Sequence, residues 1–172
     1  MDHVDGARDK IEVRAARAVD RDWIRRVVEQ RWSGPILVSR GRVHQVDRLE
    51  AYIAWDGEER VGLVTYRHDA STLEILTLDS LHPGRGIGTA LLEAVEGFAR
   101  QANLRRLFLV TTNDKVESLS FYLRRGLRLV AVHRDALVEA RRLKPSIPIV
   151  GEHGLRLLDE LEFELDLTAD VR

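Results

Sequence analysis

Cysteine is absent from the 172 residues. That removes disulfides, thiolate zinc sites, iron–sulfur clusters and cysteine nucleophiles together, and it suits the chain to a reducing compartment, so the cytoplasm is the expected address. Proline is scarce at 4 and glycine moderate at 12, which excludes collagen-like and low-complexity classes. Neither sign of charge prevails: 27 Lys and Arg face 28 Asp and Glu, a formal net charge of −1. Such a surface has no global field to draw it onto nucleic acid or an anionic membrane, and neither is an expected partner. No hydrophobic run approaches the length of a bilayer span. Residues 1–14 carry charges throughout and lack the apolar centre of a secretory signal. The histidines at positions 3, 44, 68, 82, 133 and 153 include no pair on one helical face, so no metal site is read.

What remains is a globular composition, 44% hydrophobic and 32% charged, long enough to bury roughly two thirds of its unfolded surface in one core. A single domain over 1–172 is expected, with residues 1–8 as a flexible N-terminus. Residues 11–15 read as a strand and 19–32 as an amphipathic helix, with Trp23, Ile24, Val27, Val28 and Trp32 near one face and Asp20 or Asp22 at its start. Ser33-Gly34-Pro35 breaks it, and residues 36–44 carry no period that separates strand from loop. From Leu49 the period shortens to two, and Asp56-Gly57 supplies a hairpin turn. Residues 60–67 and 72–78 complete an antiparallel meander. A helix follows, with Ile87, Leu91, Val95, Phe98 and Ala102 recurring about every four residues.

Residues 105–111 read as a strand, 116–125 as a short helix closed by Gly126, 127–132 as a strand and 136–143 as a helix, before an extended loop at Lys144-Pro145-Ser146-Ile147-Pro148. In the last strand Leu161, Phe163, Leu165 and Leu167 alternate with Glu160, Glu162, Glu164 and Asp166, which predicts one buried face and one acidic face in water. The pairs Arg105-Arg106, Arg124-Arg125 and Arg141-Arg142 read as solvated faces.

The segment Leu81-His82-Pro83-Gly84-Arg85-Gly86-Ile87-Gly88-Thr89 joins a strand to a helix. Glycines at alternate positions let the backbone turn tightly and its amides converge. A helix start also leaves N–H groups unpaired and carries partial positive charge, so the junction suits a phosphate, with Arg85 as an added cation. Taken alone, the same glycines serve a sharp turn equally well. A Walker A loop needs Gly-Lys-Ser/Thr, and no Lys lies between Arg60 and Lys115. A Rossmann fingerprint needs glycine where Thr89 stands and a parallel βαβ unit rather than a meander.

With the meander before it, this loop resembles that of the GNAT family, the Gcn5-related N-acetyltransferases. Gly86-Ile87-Gly88 followed by Thr89-Ala90-Leu91-Leu92 matches the family's glycine signature, with Pro83 in place of its usual Gln or Arg. Downstream, Phe121-Tyr122, three residues and Gly126-Leu127 match the family's later motif. The resemblance implies an α/β (α+β) fold, a mixed, mostly antiparallel central sheet of about six to seven strands with helices on both faces. It implies acetyl-CoA as co-substrate, its pyrophosphate on the amides of Arg85, Gly86, Ile87, Gly88 and Thr89 and its pantetheine arm along the backbone of Leu78, Asp79 and Ser80. The family's asparagine lies seven residues before the tyrosine, where this chain has Lys115, and Asn113 is the candidate substitute.

By the same resemblance Tyr122 is the candidate general acid for the departing thiolate, against a simpler role in packing, and Glu74 the candidate base, directly or through water; Asp79 and His82 are weaker alternatives. An oxyanion would fall to an amide near Leu78. Residues 32–44, with Ser39, Arg40 and His44, and residues 145–154 stand where the family walls its acceptor. The expected activity is transfer of acetyl to a primary amine, small molecule or peptide, by direct attack, and homodimers are common in the family. Two other readings stand beside it: a CoA-binding sensor without turnover, and a different phosphate-ligand enzyme using the same loop.

Overall fold

Alternation in the meander builds the middle of one sheet. The structure, a computed structural model, describes residues 11–168, so the expected flexible N-terminus at 1–8 lies outside the described residues. β4 (Glu50–Asp56), β5 (Glu59–His68) and β6 (Thr72–Ser80) pair antiparallel in chain order. β1 (Glu12–Ala15) extends one edge; β7 (Arg106–Thr112), β9 (Glu160–Asp166) and β8 (Arg128–His133) extend the other. The strand order is β1-β4-β5-β6-β7-β9-β8. Each pairing is antiparallel except β6 with β7, and α2 (Ile87–Gln101) makes the crossover that a parallel pair requires.

Side chains of period two feed two cores. Leu63 and Val64, neighbours on β5, point to opposite faces. On one face α2 lays down Ile87, Leu91, Val95 and Ala99 against Val64, Leu73, Leu107 and Phe163, joined by Tyr122 from α3 (Val116–Arg124). On the other, α1 (Arg21–Arg31) buries Ile24, Val27 and Val28 against Ile53, Leu63 and Leu76. α4 (Ala136–Leu143) seats Leu137 and Ala140 on Leu157 in a third, small cluster. The expected mixed sheet with helices on both faces is therefore the observed one. No helix among the described residues is long and apolar enough to cross a membrane.

Residues 36–44, which carry no readable period, belong to a hairpin of β2 (Ile36–Ser39) and β3 (Arg42–Gln45), turning through Arg40 and Gly41, both at positive φ. Two further expectations are corrected. Glu160 and Glu162 are 3% and 4% exposed, so the acidic row of β9 is not a wet face. β9 lies inside the sheet, and Arg106 closes on Glu162 at 2.5 Å and Glu164 at 2.6 Å while His133 meets Glu162 at 2.6 Å. Arg141 is likewise no solvated cation: it donates to the carbonyls of Leu137, Ile147, Pro148 and Leu157, tying α4 to the loop after it.

The start of α2 is positioned by a missing side chain. A Cβ on Gly62 of β5 would stand 2.4 Å from Ile87 Cγ2 and 3.0 Å from the Asp79 carbonyl oxygen, so the helix can approach the sheet only over glycine. Gly62→Ala is expected to cost about 1–3 kcal/mol through overpacking, seen as a lower thermal unfolding midpoint. An unchanged midpoint would mean that Ile87 does not rest on this position.

Candidate active site

The parallel ladder of β6 and β7 is short. It runs from Thr72 and Arg106 to Ile75 and Leu109 and then stops, although β6 continues on β5 to Ser80 and β7 continues on β9 to Thr112. The two strands fork. Leu81 donates its amide to Val61 of the neighbouring chain segment at 2.9 Å. Alternation along an antiparallel ladder then turns the amides and carbonyls of Leu78 and Ser80 away from β5, to the open edge of the fork.

A cavity of about 510 Å³ fills the fork. Leu78 and Asp79 line one arm, Leu109 and Thr111 the other, and Tyr122 rises into it from α3. Its far wall is clasped shut by Lys144, which donates to the carbonyls of Trp32 and, at 2.7 Å, Ile36, and by Ser146, whose hydroxyl donates to the Ser33 carbonyl at 2.8 Å. Burial pushes the Lys144 ammonium below its ordinary range; even as a neutral amine it keeps the two N–H groups these bonds use.

The loop entering α2 bends through Gly84 and Gly86, at φ 81° and 76°. Gly86 is the N-cap residue, with no side-chain cap on the turn it opens. The amides of Ile87, Gly88 and Thr89 precede the first intrahelical bond, from Ala90 to Gly86 at 3.0 Å, and have no partner within the helix. Residues 85–89 do not line the cavity; Gly88 faces Phe121, the residue before Tyr122. Arg85, expected to add a cation, is held to Asp56 at the end of β4 at 2.6 Å. Ser80 donates its hydroxyl to the His82 carbonyl at 3.1 Å, which leaves only its backbone for the fork.

Tyr122 is 8% exposed, packed between Phe121 and Phe163. Its phenol is pushed up to about 12, first by burial and then by the Asp79 carboxylate, with a hydrogen bond from Ser118 pulling the other way. It stays protonated through the working pH range and is a donor. Asp79 lies in the same cavity but has both oxygens occupied, by Arg31 Nε at 2.8 Å and Trp32 Nε1 at 3.0 Å. His82 lies outside, against Glu59 at 3.1 Å.

Glu74 is not brought to Tyr122. It is 3% exposed, accepts from Ser39 at 2.6 Å and from Arg67 Nε at 2.8 Å, and faces a separate pocket, because its position on β6 falls below the fork, opposite Phe108. Asn113 lies outside the cavity as well. Its amide is consumed by main chain: Nδ2 donates to the Arg156 carbonyl at 2.9 Å, and Oδ1 accepts from Leu158 at 3.0 Å and Asp159 at 3.1 Å. It fastens the end of β7 to the segment entering β9 and does not line the cavity. Lys115, at the family's asparagine position, does line it and pairs with Glu152.

Beside Asp79, and Asp114 held by the Thr112 hydroxyl and the Glu152 amide, a third buried carboxylate lines the cavity: Glu160, the first residue of β9. Its one hydrogen-bond donor among the described residues is the Arg40 amide, at 3.2 Å. Burial pushes its carboxyl above the usual range and the charge of Glu74 adds to this, against the Arg40 amide and His133. The sequence carries no signal for it, since the alternation through residues 160–167 reads as a strand with one face in water. At the rim, Glu117, Glu152 and His153 bring three ligand atoms within 4.8 Å of one another, but all are exposed and already engaged, His153 with Glu117 and Glu152 with Lys115.

This geometry can be set beside known proteins. The family model described as Acetyltransferase (GNAT) family matches residues 18–127. The uncharacterized protein YdhI of Bacillus subtilis (strain 168) is 41% identical over 133 residues, 77% of this chain and 83% of that one. Among solved structures, the IAA acetyltransferase from Bacillus cereus ATCC 14579 superposes with a TM-score of 0.70 at 18% identity, covering 91% of this chain and 99% of that one. A GNAT family acetyltransferase from Elizabethkingia anophelis, solved with acetyl-CoA bound, superposes with a TM-score of 0.67 at 18% identity, covering 92% and 99%. Forked strands, a glycine-capped α2 and a matched sequence model converge: the chain belongs to the acetyltransferase (GNAT) family.

Proposed function

We propose that the protein transfers an acetyl group from acetyl-CoA to a primary amine by direct attack, with Glu160 as general base and Tyr122 as the donor to sulfur. The observation that carries this reading is a buried carboxylate, Glu160, lining the same cavity as a buried phenol, Tyr122. A sensor without turnover has no use for that pairing. The residues present fit the cofactor at two places, the open backbone edge at Leu78 and Ser80 and the uncapped amides of Ile87, Gly88 and Thr89. An extended amide-bearing arm would add to the first as a strand adds to a sheet edge. A diphosphate would sit on the second. Acetyl-CoA supplies the chemistry of a thioester carbonyl. The cysteine-free composition is the ground for proposing a cytoplasmic setting.

The acceptor arrives as an ammonium and must lose a proton before its nitrogen can attack. Glu160 takes that proton; its raised pKa brings it closer to the basicity the task needs. The nitrogen then bonds the acetyl carbon as the carbon–sulfur bond breaks, and it sheds its second proton to solvent, from which the phenol is later re-protonated. Tyr122 donates to the sulfur. With the phenol near 12 and a thiol near 8.5, complete transfer of the proton would be uphill by roughly 5 kcal/mol. The phenol therefore serves by hydrogen-bonding the thiolate as it forms, and the sulfur gains its proton only in a transfer coupled to later re-protonation of the phenol.

Glu160→Gln keeps the shape and the Arg40 contact while removing the base. It is expected to lower kcat by roughly 10²-fold or more with CoA affinity retained. In the parent protein kcat should fall toward acid pH with a midpoint above the ordinary carboxylate range, since only the ionised Glu160 accepts a proton. That acid limb should vanish in the variant, and an unchanged limb would exclude Glu160 as the base. Tyr122→Phe is expected to slow release of CoA thiol by roughly 10²-fold, leaving CoA binding measurable by calorimetry. Full turnover in this variant under chemistry-limited conditions would reduce Tyr122 to packing.

A further inference from the structure

Glu74 points to something other than catalysis. Below the fork, on the sheet face that also carries Glu160, a second pocket of about 390 Å³ gathers Arg40 and Arg42 of the β2–β3 hairpin, Arg67 of β5 and Arg106 of β7 around the ring of Phe108. Arg106 and Arg40 both lie over that ring, at 4.4 Å and 5.7 Å. The carboxylates lining it are committed. Glu74 is held by Arg67 and Ser39, and Asp69 accepts the amides of Ser71 and Thr72, each at 2.9 Å. Arg42 has no ion-pair or hydrogen-bond partner among the described residues, and Arg40 reaches only Glu162, at 3.6 Å. Two guanidinium groups with free donor edges thus converge on a walled hollow with an aromatic floor, an arrangement that fits a planar or tetrahedral oxyanion.

This pocket adjoins the acetyl-transfer cavity. Ser39 lines both. The residue after it, Arg40, donates its amide to Glu160 while its side chain lines the second pocket. One molecule lying along the β2–β3 hairpin would therefore meet a carboxylate at one end and guanidinium groups at the other. Resting on the transferase reading above, we infer that the acceptor is an amine carrying an oxyanion, carboxylate or phosphate, at its far end, and that Arg42 with Arg40 selects for it.

The test is a matched acceptor series on the full chain: ω-amino carboxylates of two to six carbons, the corresponding aminoalkyl phosphates, and the neutral carboxamides and alcohols of equal length. At one or more chain lengths kcat/KM for an anionic member should exceed that of its neutral counterpart by roughly tenfold or more, as one charge-assisted contact warrants. The carboxylate and phosphate arms tell which oxyanion is preferred. Arg42→Ala, an exposed position, should bring the ratio toward one, and Arg42→Lys should restore part of it. A second readout needs no turnover: glutarate, at ionic strength matched with chloride, should raise the unfolding midpoint of the parent protein and not that of Arg42→Ala. Acetylation of neutral and anionic amines alike, with no glutarate shift, would overturn the oxyanion site and leave the transferase standing. A glutarate shift abolished by Arg42→Ala, with no amine acetylated, would keep the pocket and overturn the transferase.

Discussion

The parallel ladder between β6 and β7 ends at Ile75 and Leu109, and the site is arranged around that ending. Each strand is held along its other edge, β6 by β5 as far as Ser80 and β7 by β9 as far as Thr112, so neither can bend back to close the gap. Twist between neighbouring strands widens it. Backbone groups within a fold normally find partners, and those of Leu78 and Ser80 are turned to the open edge of the fork instead. A ligand with amides of its own is what such an edge lacks. The fork also lets Tyr122 enter from one face of the sheet and Glu160 from the other. Gly62 contributes at a distance, because the start of α2 reaches the same end of the sheet only where β5 has no side chain.

Charge is distributed so that one acid stands apart. Asp79 is matched by Arg31, Glu74 by Arg67, and Glu162 by Arg106 and His133. A buried carboxylate locked to a guanidinium is a poor base, since taking up a proton breaks the pair. Glu160 has a backbone amide instead of a cation as its hydrogen-bond donor, and burial raises its proton affinity. The acids held by two donors, Asp114 with the Thr112 hydroxyl and the Glu152 amide among them, thus build the walls, and Glu160, with one backbone donor, is left free to exchange a proton. The same face supplies the guanidinium groups of the second pocket, so amine and anion recognition would be neighbours on one surface.

The meander, α2, the glycine loop and the motif at Phe121-Tyr122 were legible in the sequence because each rests on local rules: period two, period near four, and the conformations open to glycine. Glu160 was not legible. Its alternation with Leu161 and Phe163 describes a half-exposed strand, and only folding brings Arg40 of the β2–β3 hairpin onto Glu160 and Glu162. The places of Glu74 and Asn113 outside the cavity were not legible for a related reason: a strand position fixes the face a side chain takes but not how far up the fork it lies, nor whether main chain from residues 156–159 consumes its hydrogen bonds. Lys144 and Arg141 look like ordinary surface cations in sequence, yet their carbonyl partners come from segments the chain assembles only on folding.

Main-chain groups at the fork and at the start of α2 are held to be the grip on the coenzyme, and amide hydrogen exchange reads those groups directly. Exchange of the full chain with and without saturating CoA should slow at Leu78 and Ser80 and at Ile87, Gly88 and Thr89, whose amides have no partner among the described residues. CoA binding that protected other segments while these amides exchanged at their free rate would contradict the account.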